Sequence, residues 1–234
     1  MAQRDEGRRA LVTGGSSGIG RELVIGLSHR RWDVEFCGRN EAGLLETSRL
    51  AGLHRFHRCD VTNPDQLESM LSQLTTAGPL DLLINNAGQF QPAPLLEHTR
   101  EQIEACISTN LVAPVVLLQH LVNLGLLGRN ALIINILSVS ADTVFPGCTW
   151  YGASKAGLGQ AMRVARQELR HMGIRICNVT PGATLTPAWG NQGQNLADRL
   201  MPSAALAECI LQACLSDGSV LVEEMVLRPP GGDL

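Results

Sequence analysis

Aromatic residues make up only 3 % of this 234-residue chain, with a single tyrosine, Tyr151, and a single lysine, Lys155. Eighteen of its nineteen basic residues are therefore arginine, although lysine is ordinarily among the commonest amino acids. The sole phenol and the sole amine stand four positions apart. Charge of one sign is also lacking, since the formal net charge is -3 with arginine scattered along the chain. That excludes the basic field needed to hold nucleic acid and leaves small, near-neutral ligands. Unbroken apolar length is missing too. The longest greasy stretch, Leu111 to Leu127, is interrupted by Pro114, Gln119, His120 and Asn123, which predicts a buried helix and no membrane role. Met1 to Arg9 is polar and runs straight into an apolar strand, without a secretory or transit-peptide pattern, so a cytoplasmic location is expected.

The seven cysteines form no C-x-x-C pair and mostly lie in apolar runs, as Cys177 and Cys209 do. They predict reduced core thiols rather than a disulfide framework. His54, His57 and Cys59 sit close together, but alternate residues of an extended segment face opposite ways, so no metal site is expected.

The remaining composition, 44 % hydrophobic and 18 % charged, is that of an ordinary globular chain. Apolar, β-branched-rich runs recur at Ala10–Thr13, Val34–Cys37, Leu80–Ile84, Ala131–Leu137, Ile174–Val179 and Val220–Leu227, with a weaker one at His54–Arg58. Helix-period segments separate them. Several runs are apolar throughout, as expected of parallel strands covered on both faces. Asn63-Pro64 and Pro202-Ser203 are helix starts, and Tyr151–His171 predicts one long helix. No linker or repeat divides the chain, so residues 1–234 are expected to form a single α/β domain. Its architecture is a doubly wound sheet of about seven parallel strands with helices on both faces, binding ligands beyond the strands' carboxyl ends.

The motifs fall at those ends. Thr13-Gly14-Gly15-Ser16-Ser17-Gly18-Ile19-Gly20 follows the first strand and opens a helix. Glycines there let the backbone approach a pyrophosphate, whose charge meets the free N–H groups of the helix N-terminus. This predicts dinucleotide binding. Tyr151 and Lys155, one turn apart on one helix face, can work together. A tyrosine of ordinary pKa near 10 needs a shift of roughly 4 kcal/mol to exchange protons near neutrality. One positive charge about 4 Å away at an effective dielectric near 20 supplies about that much.

The T-G-x-x-x-G-x-G spacing, Asn85-Asn86-Ala87-Gly88, Ser138, and Tyr151-Gly152-Ala153-Ser154-Lys155 together resemble the single-domain short-chain dehydrogenase/reductase family, over Arg9 to about Leu227. The resemblance implies a Rossmann fold and an oxidoreductase that transfers hydride reversibly between a nicotinamide cofactor and a ketone or aldehyde. It implies Tyr151 as general acid/base, Lys155 as its electrostatic tuner and ribose anchor, Ser138 as the group polarising the carbonyl, and Asn110 in the proton relay. The cofactor would lie on Gly14, Ser16, Ser17, Gly18, Ile19 and Gly20, with Asp60 and Val61 at the adenine and Asn86, Ala87 and Gly88 at the ribose. Tyr151, Lys155, Pro181, Gly182 and Thr186 would hold its nicotinamide half. Where NAD-preferring relatives place a carboxylate, this chain has Gly38 followed by Arg39. A guanidinium fork suits a phosphate, so NADP(H) is expected in preference to NAD(H).

Some features depart from the family pattern. Leu137 replaces a frequent serine, Thr180 a frequent asparagine, and the stretch from Thr186 to Pro202 is short. Ser140, Phe145, Trp150 and Trp189, with Gln89 and Phe90, are candidate substrate walls suited to an apolar or planar carbonyl compound. Apolar residues in Leu111–Leu127, with Leu158, Met162 and Ala165, exceed what a sheet-covering face needs and suggest a homodimer or homotetramer. The alternative function is a regulatory protein that binds NADP(H) without turnover.

Overall fold

The computed structural model describes residues 7–190, 192–215 and 219–233; most of the polar lead-in, residues 1–6, lies outside them. In chain order the first half runs β1 (Arg9–Thr13), α1 (Gly18–His29), β2 (Asp33–Gly38), α2 (Glu41–Ala51), β3 (Phe56–Arg58), α3 (Pro64–Thr75) and β4 (Leu80–Asn85). There follow α4 (Arg100–Ile107), α5 (Ala113–Asn123), β5 (Leu127–Ile136), α6 (Thr149–Glu168), β6 (Arg175–Pro181) and β7 (Thr184–Leu185). The chain then forms α7 (Gln192–Asn195), β8 (Met201–Pro202), α8 (Ser203–Cys214) and β9 (Glu224–Leu227). Seven strands pair in parallel in the order β3-β2-β1-β4-β5-β6-β9, and β7 pairs with β8 apart from them.

This is the doubly wound sheet that the all-apolar runs predict. One face of the sheet buries Val12, Phe36, Ile84 and Ile134 against Leu23 and Leu27 of α1 and Ile210 and Leu211 of α8. The other buries Leu11, Leu83 and Ile133 against Met70 of α3, Leu117 and Leu121 of α5, and Leu158 and Met162 of α6. Each such leucine contributes roughly 1.5–3 kcal/mol by leaving water. The predicted start at Asn63-Pro64 is a true cap, with the Asn63 side chain accepting from Gln66 N at 3.0 Å.

Several expected boundaries move. Of the expected Leu111–Leu127 helix, Ala113–Asn123 forms α5, and Leu111 and Val112 belong to the wide π turn over Ser108–Val112 that precedes it. The helix ends before Gly125, whose φ of +65° reverses the chain into β5 at Leu127. Helix α6 starts two residues before Tyr151 and stops at Glu168, short of His171, because a tight turn at Arg170–Met172 leads to Gly173 with φ +76°. The last strand is confined to Glu224–Leu227, the residues opposite Asn178–Pro181 of β6; Val220 lies outside it, 64 % exposed. Likewise β3 begins at Phe56 rather than His54.

The helical stretch Arg100–Asn123 is long and apolar enough to cross a membrane, with mean hydropathy 1.6. Its Leu117, Leu118 and Leu121 are instead buried on the sheet. The same burial removes part of the supposed apolar surplus. Leu158 and Met162 are spent on the core, and Val112, Leu124 and Val164 are the large apolar residues left exposed on α5, its flanks and α6.

One polar line crosses the buried sheet. Asn85, Asn135 and Asn178 stand opposite one another on β4, β5 and β6. Asn85 Nδ2 donates to Asn135 Oδ1 at 2.9 Å, Asn135 Nδ2 to Asn178 Oδ1 at 3.0 Å, and Asn178 Nδ2 to Glu224 Oε1 of β9 at 3.1 Å.

Candidate active site

A cleft of about 580 Å³ opens at the carboxyl ends of β1, β2, β4, β5 and β6. Its floor on one side is the loop from β1 to α1. Thr13 Oγ1 accepts from the backbone N–H groups of Asn86 and Ala87 at 3.1 and 3.0 Å, while Asn86 Nδ2 donates to the Thr13 and Gly14 carbonyls. These bonds pin the segment after β4 against the loop. Gly14 has φ +71°, and a Cβ there would lie 2.8 Å from the Ala87 Cα. At Gly20 a Cβ would meet the Gly14 carbonyl oxygen at 2.2 Å, so Gly20 permits the loop to close and does not itself line the cleft.

Helix α1 starts at Gly18 with no side chain capping it. Its first N–H groups, beside Ser16, Ser17 and Ile19 in the lining, form a cradle that fits a pyrophosphate. Arg39, Asp60 and Val61 line the same end of the cleft. The Arg39 side chain is 63 % exposed and stands 3.9 Å from the Asp60 carboxylate. A side chain at position 38 would press on Ser16, 3.2 Å from its Oγ, so no acid is accommodated there without a shift.

The residues expected to do chemistry converge beyond β5. Ser138, buried at the strand end, hydrogen-bonds to the phenol of Tyr151. Burial outweighs that bond and pushes the phenol up to about 12. Lys155 is buried as well, which pushes its ammonium down to about 8. Its Nζ donates to the Ile136 carbonyl at 2.7 Å and lies 6.0 Å from the Tyr151 ring centroid. In this arrangement burial outweighs any lowering of the phenol by Lys155, whose ammonium donates to the backbone of β5. Asn110 sits behind the cleft in the π turn, fully buried. Its Oδ1 accepts from Gln89 N at 2.8 Å, and its Nδ2 donates to Gln89 O at 2.9 Å and Ser154 Oγ at 3.1 Å. The Cβ position of Gly88 lies 3.3 Å from Asn110 Oδ1 and 3.6 Å from Lys155 Nζ, so the missing side chain lets the two face one another.

Comparison with protein families matches residues 8–197 to short chain dehydrogenase. The chain belongs to the short-chain dehydrogenase family. This family unites oxidoreductases that bind a nicotinamide cofactor and act on small molecules. Sepiapterin reductase of Chlorobaculum tepidum is 29 % identical over 236 residues, covering 96 % of this chain and 97 % of that protein. An uncharacterised oxidoreductase of Staphylococcus epidermidis is 29 % identical over 223 residues, covering 94 % and 96 %. A dehydrogenase/reductase of Sinorhizobium meliloti is similar in structure at TM-score 0.83 and 28 % identity, covering 95 % and 94 % of the two chains.

Around Tyr151 the cleft of this short-chain dehydrogenase is aromatic. Phe90 packs edge-on to Tyr151 with centroids 4.9 Å apart and lies 5.9 Å from Trp189, whose indole donates to the Thr184 carbonyl at 2.8 Å. Ser140, Phe145, Gln89, Thr186, Pro181 and Gly182 also line it. Trp150, expected among the walls, does not, and its Nε1 is buried without a hydrogen-bond partner. Thr109 and Asp233 line the cleft without having been anticipated. Thr109 follows from the π turn, which sequence periodicity does not reveal. Asp233 lies 95 residues beyond Ser138 in sequence, and only the return of the tail across β6 brings it close.

Proposed function

We propose that this protein is an NADP(H)-dependent carbonyl reductase that converts a ketone or aldehyde to an alcohol and runs in reverse as an alcohol dehydrogenase. The observation that carries the reading is the meeting of Tyr151, Ser138, Lys155 and Asn110 beside an uncapped helix N-terminus and a glycine cradle in one cleft. Bound NADPH supplies the hydride. Tyr151, protonated at neutral pH, would donate its proton to the carbonyl oxygen of the substrate. Ser138 hydrogen-bonds the same oxygen as charge develops there. Lys155 would hold the nicotinamide ribose and supply positive charge near the phenol, and Asn110 would continue the path by which Tyr151 is reprotonated. Arg39, exposed and flanked by uncharged Gly38, is the group assigned to the 2′-phosphate.

One domain carries both functions in this reading. The protein is cytoplasmic and forms a homodimer or homotetramer through the surface that leaves Val112 and Val164 exposed. The test is NADPH oxidation across ketones, aldehydes and 3-oxo thioesters with Tyr151→Phe as control. Turnover abolished in the variant supports the reading. Tight NADPH binding with no turnover across the panel supports instead a regulatory protein that keeps the dinucleotide site alone.

A further inference from the structure

The C-terminal tail folds back over the cleft. Leu227 O accepts from Gly182 N at 2.7 Å, and the chain then returns so that Asp233 joins the lining. A Cβ on Gly182 would lie 3.1 Å from Pro229 Cδ and 3.3 Å from Asp233 Oδ1. Arg228 holds this return in place, pairing with one Asp233 oxygen and donating to Thr143 Oγ1 at 3.4 Å. Its guanidinium stays outside the lining. The other carboxylate oxygen, Oδ1, is shielded from solvent and has no hydrogen-bond partner. A carboxylate oxygen in that condition favours any donor brought to it.

The position of that charge along the sheet gives it meaning. Charged side chains in the described lining are Arg39, Asp60, Lys155 and Asp233. The first two lie at the β2 and β3 end, and Lys155 is engaged beneath Tyr151. At the β6 and β9 end, beside Gly182, Asp233 is the one charged side chain of the described lining, its other oxygen paired with Arg228, and Phe90, Trp189 and Phe145 supply flat apolar surface in the same cleft.

We propose that the tail makes this end of the cleft select planar carbonyl compounds that carry an N–H donor and no anionic group, with Asp233 accepting from the donor. The proposal rests on the carbonyl-reductase reading for its chemistry, but the preference itself is a property of binding. Three probes of one scaffold test it: acetophenone, para-aminoacetophenone and para-carboxyacetophenone. Each is measured for turnover with NADPH and, by calorimetry, for binding to the protein loaded with NADP+. We expect the amino probe to be preferred over the carboxy probe at least about tenfold, the scale of one hydrogen bond to a charged group. Asp233→Asn should shrink that ratio, and Asp233→Lys should invert it, which a merely disordered tail would not do. A preference in binding without turnover of any probe upholds the proposal while overturning the reductase reading. Turnover or binding with no preference for the amino probe, or a ratio unchanged in both variants, overturns the proposal itself.

Discussion

The Lys155 ammonium donates to the Ile136 carbonyl at 2.7 Å, and with that bond in place it lies 6.0 Å from the centroid of the Tyr151 ring. Burial therefore governs the phenol, which stands at about 12. Tyr151 is the protein's one tyrosine, so the ultraviolet difference signal of tyrosinate reports it alone. In the free protein that signal should titrate well above the ordinary 10. Saturating NADP+ should bring it below 10, as the lysine and the oxidised ring add positive charge. The sign for stability follows: a phenol held protonated in the fold stabilises it below pH 10, and this contribution is lost as pH rises through about 12. A titration at 10 both with and without cofactor would contradict burial and tuning together.

Tyr151→Phe keeps the ring and its edge contact with Phe90 while removing the proposed proton donor. General acids typically contribute about 10²–10⁴-fold. We expect kcat to fall by that amount with NADPH binding, followed by fluorescence, within about threefold of the parent, since the other residues of the cofactor cradle are untouched.

How much of this was legible beforehand differs between strand and side chain. Runs such as Ala131–Ile134 announce a doubly covered strand, and the glycines after β1 announce a phosphate cradle, because both are properties of local sequence. The direction of Lys155 is a competition between a backbone carbonyl and a phenol a turn away, settled by packing. The Asn85–Asn135–Asn178 line depends on strand register, and Asp233 on a chain reversal after β9. Trp150 adjoins Tyr151 in sequence yet does not line the cleft, since successive helical residues do not share a face.

Arg39→Ala tests the cofactor choice. The guanidinium is mostly exposed and its nearest acid, Asp60, is 3.9 Å away, so it is available to a phosphate. A charge-assisted bond of about 1.5–3 kcal/mol corresponds to roughly ten- to hundredfold. The KM for NADPH should rise by that factor and the KM for NADH by less than about twofold. Equal changes in the two would remove Arg39 from the phosphate site.

Asn135→Ala addresses what the sheet needs in order to hold the site. Asn135 is fully buried, with its amide spent on Asn85 at 2.9 Å and Asn178 at 3.0 Å. Removing it leaves an Asn85 donor and an Asn178 acceptor without partners in a dry interior, where each uncompensated group costs about 1–3 kcal/mol. Truncation to alanine adds a small void at β5. Together we expect a loss of roughly 2–5 kcal/mol, read as a lower urea midpoint with an unchanged m value. Asn135 immediately precedes Ile136, whose carbonyl anchors Lys155. The variant's Tyr151 titration should therefore shift along with its stability if β5 relaxes, and stay in place if the destabilisation is confined to the asparagine line.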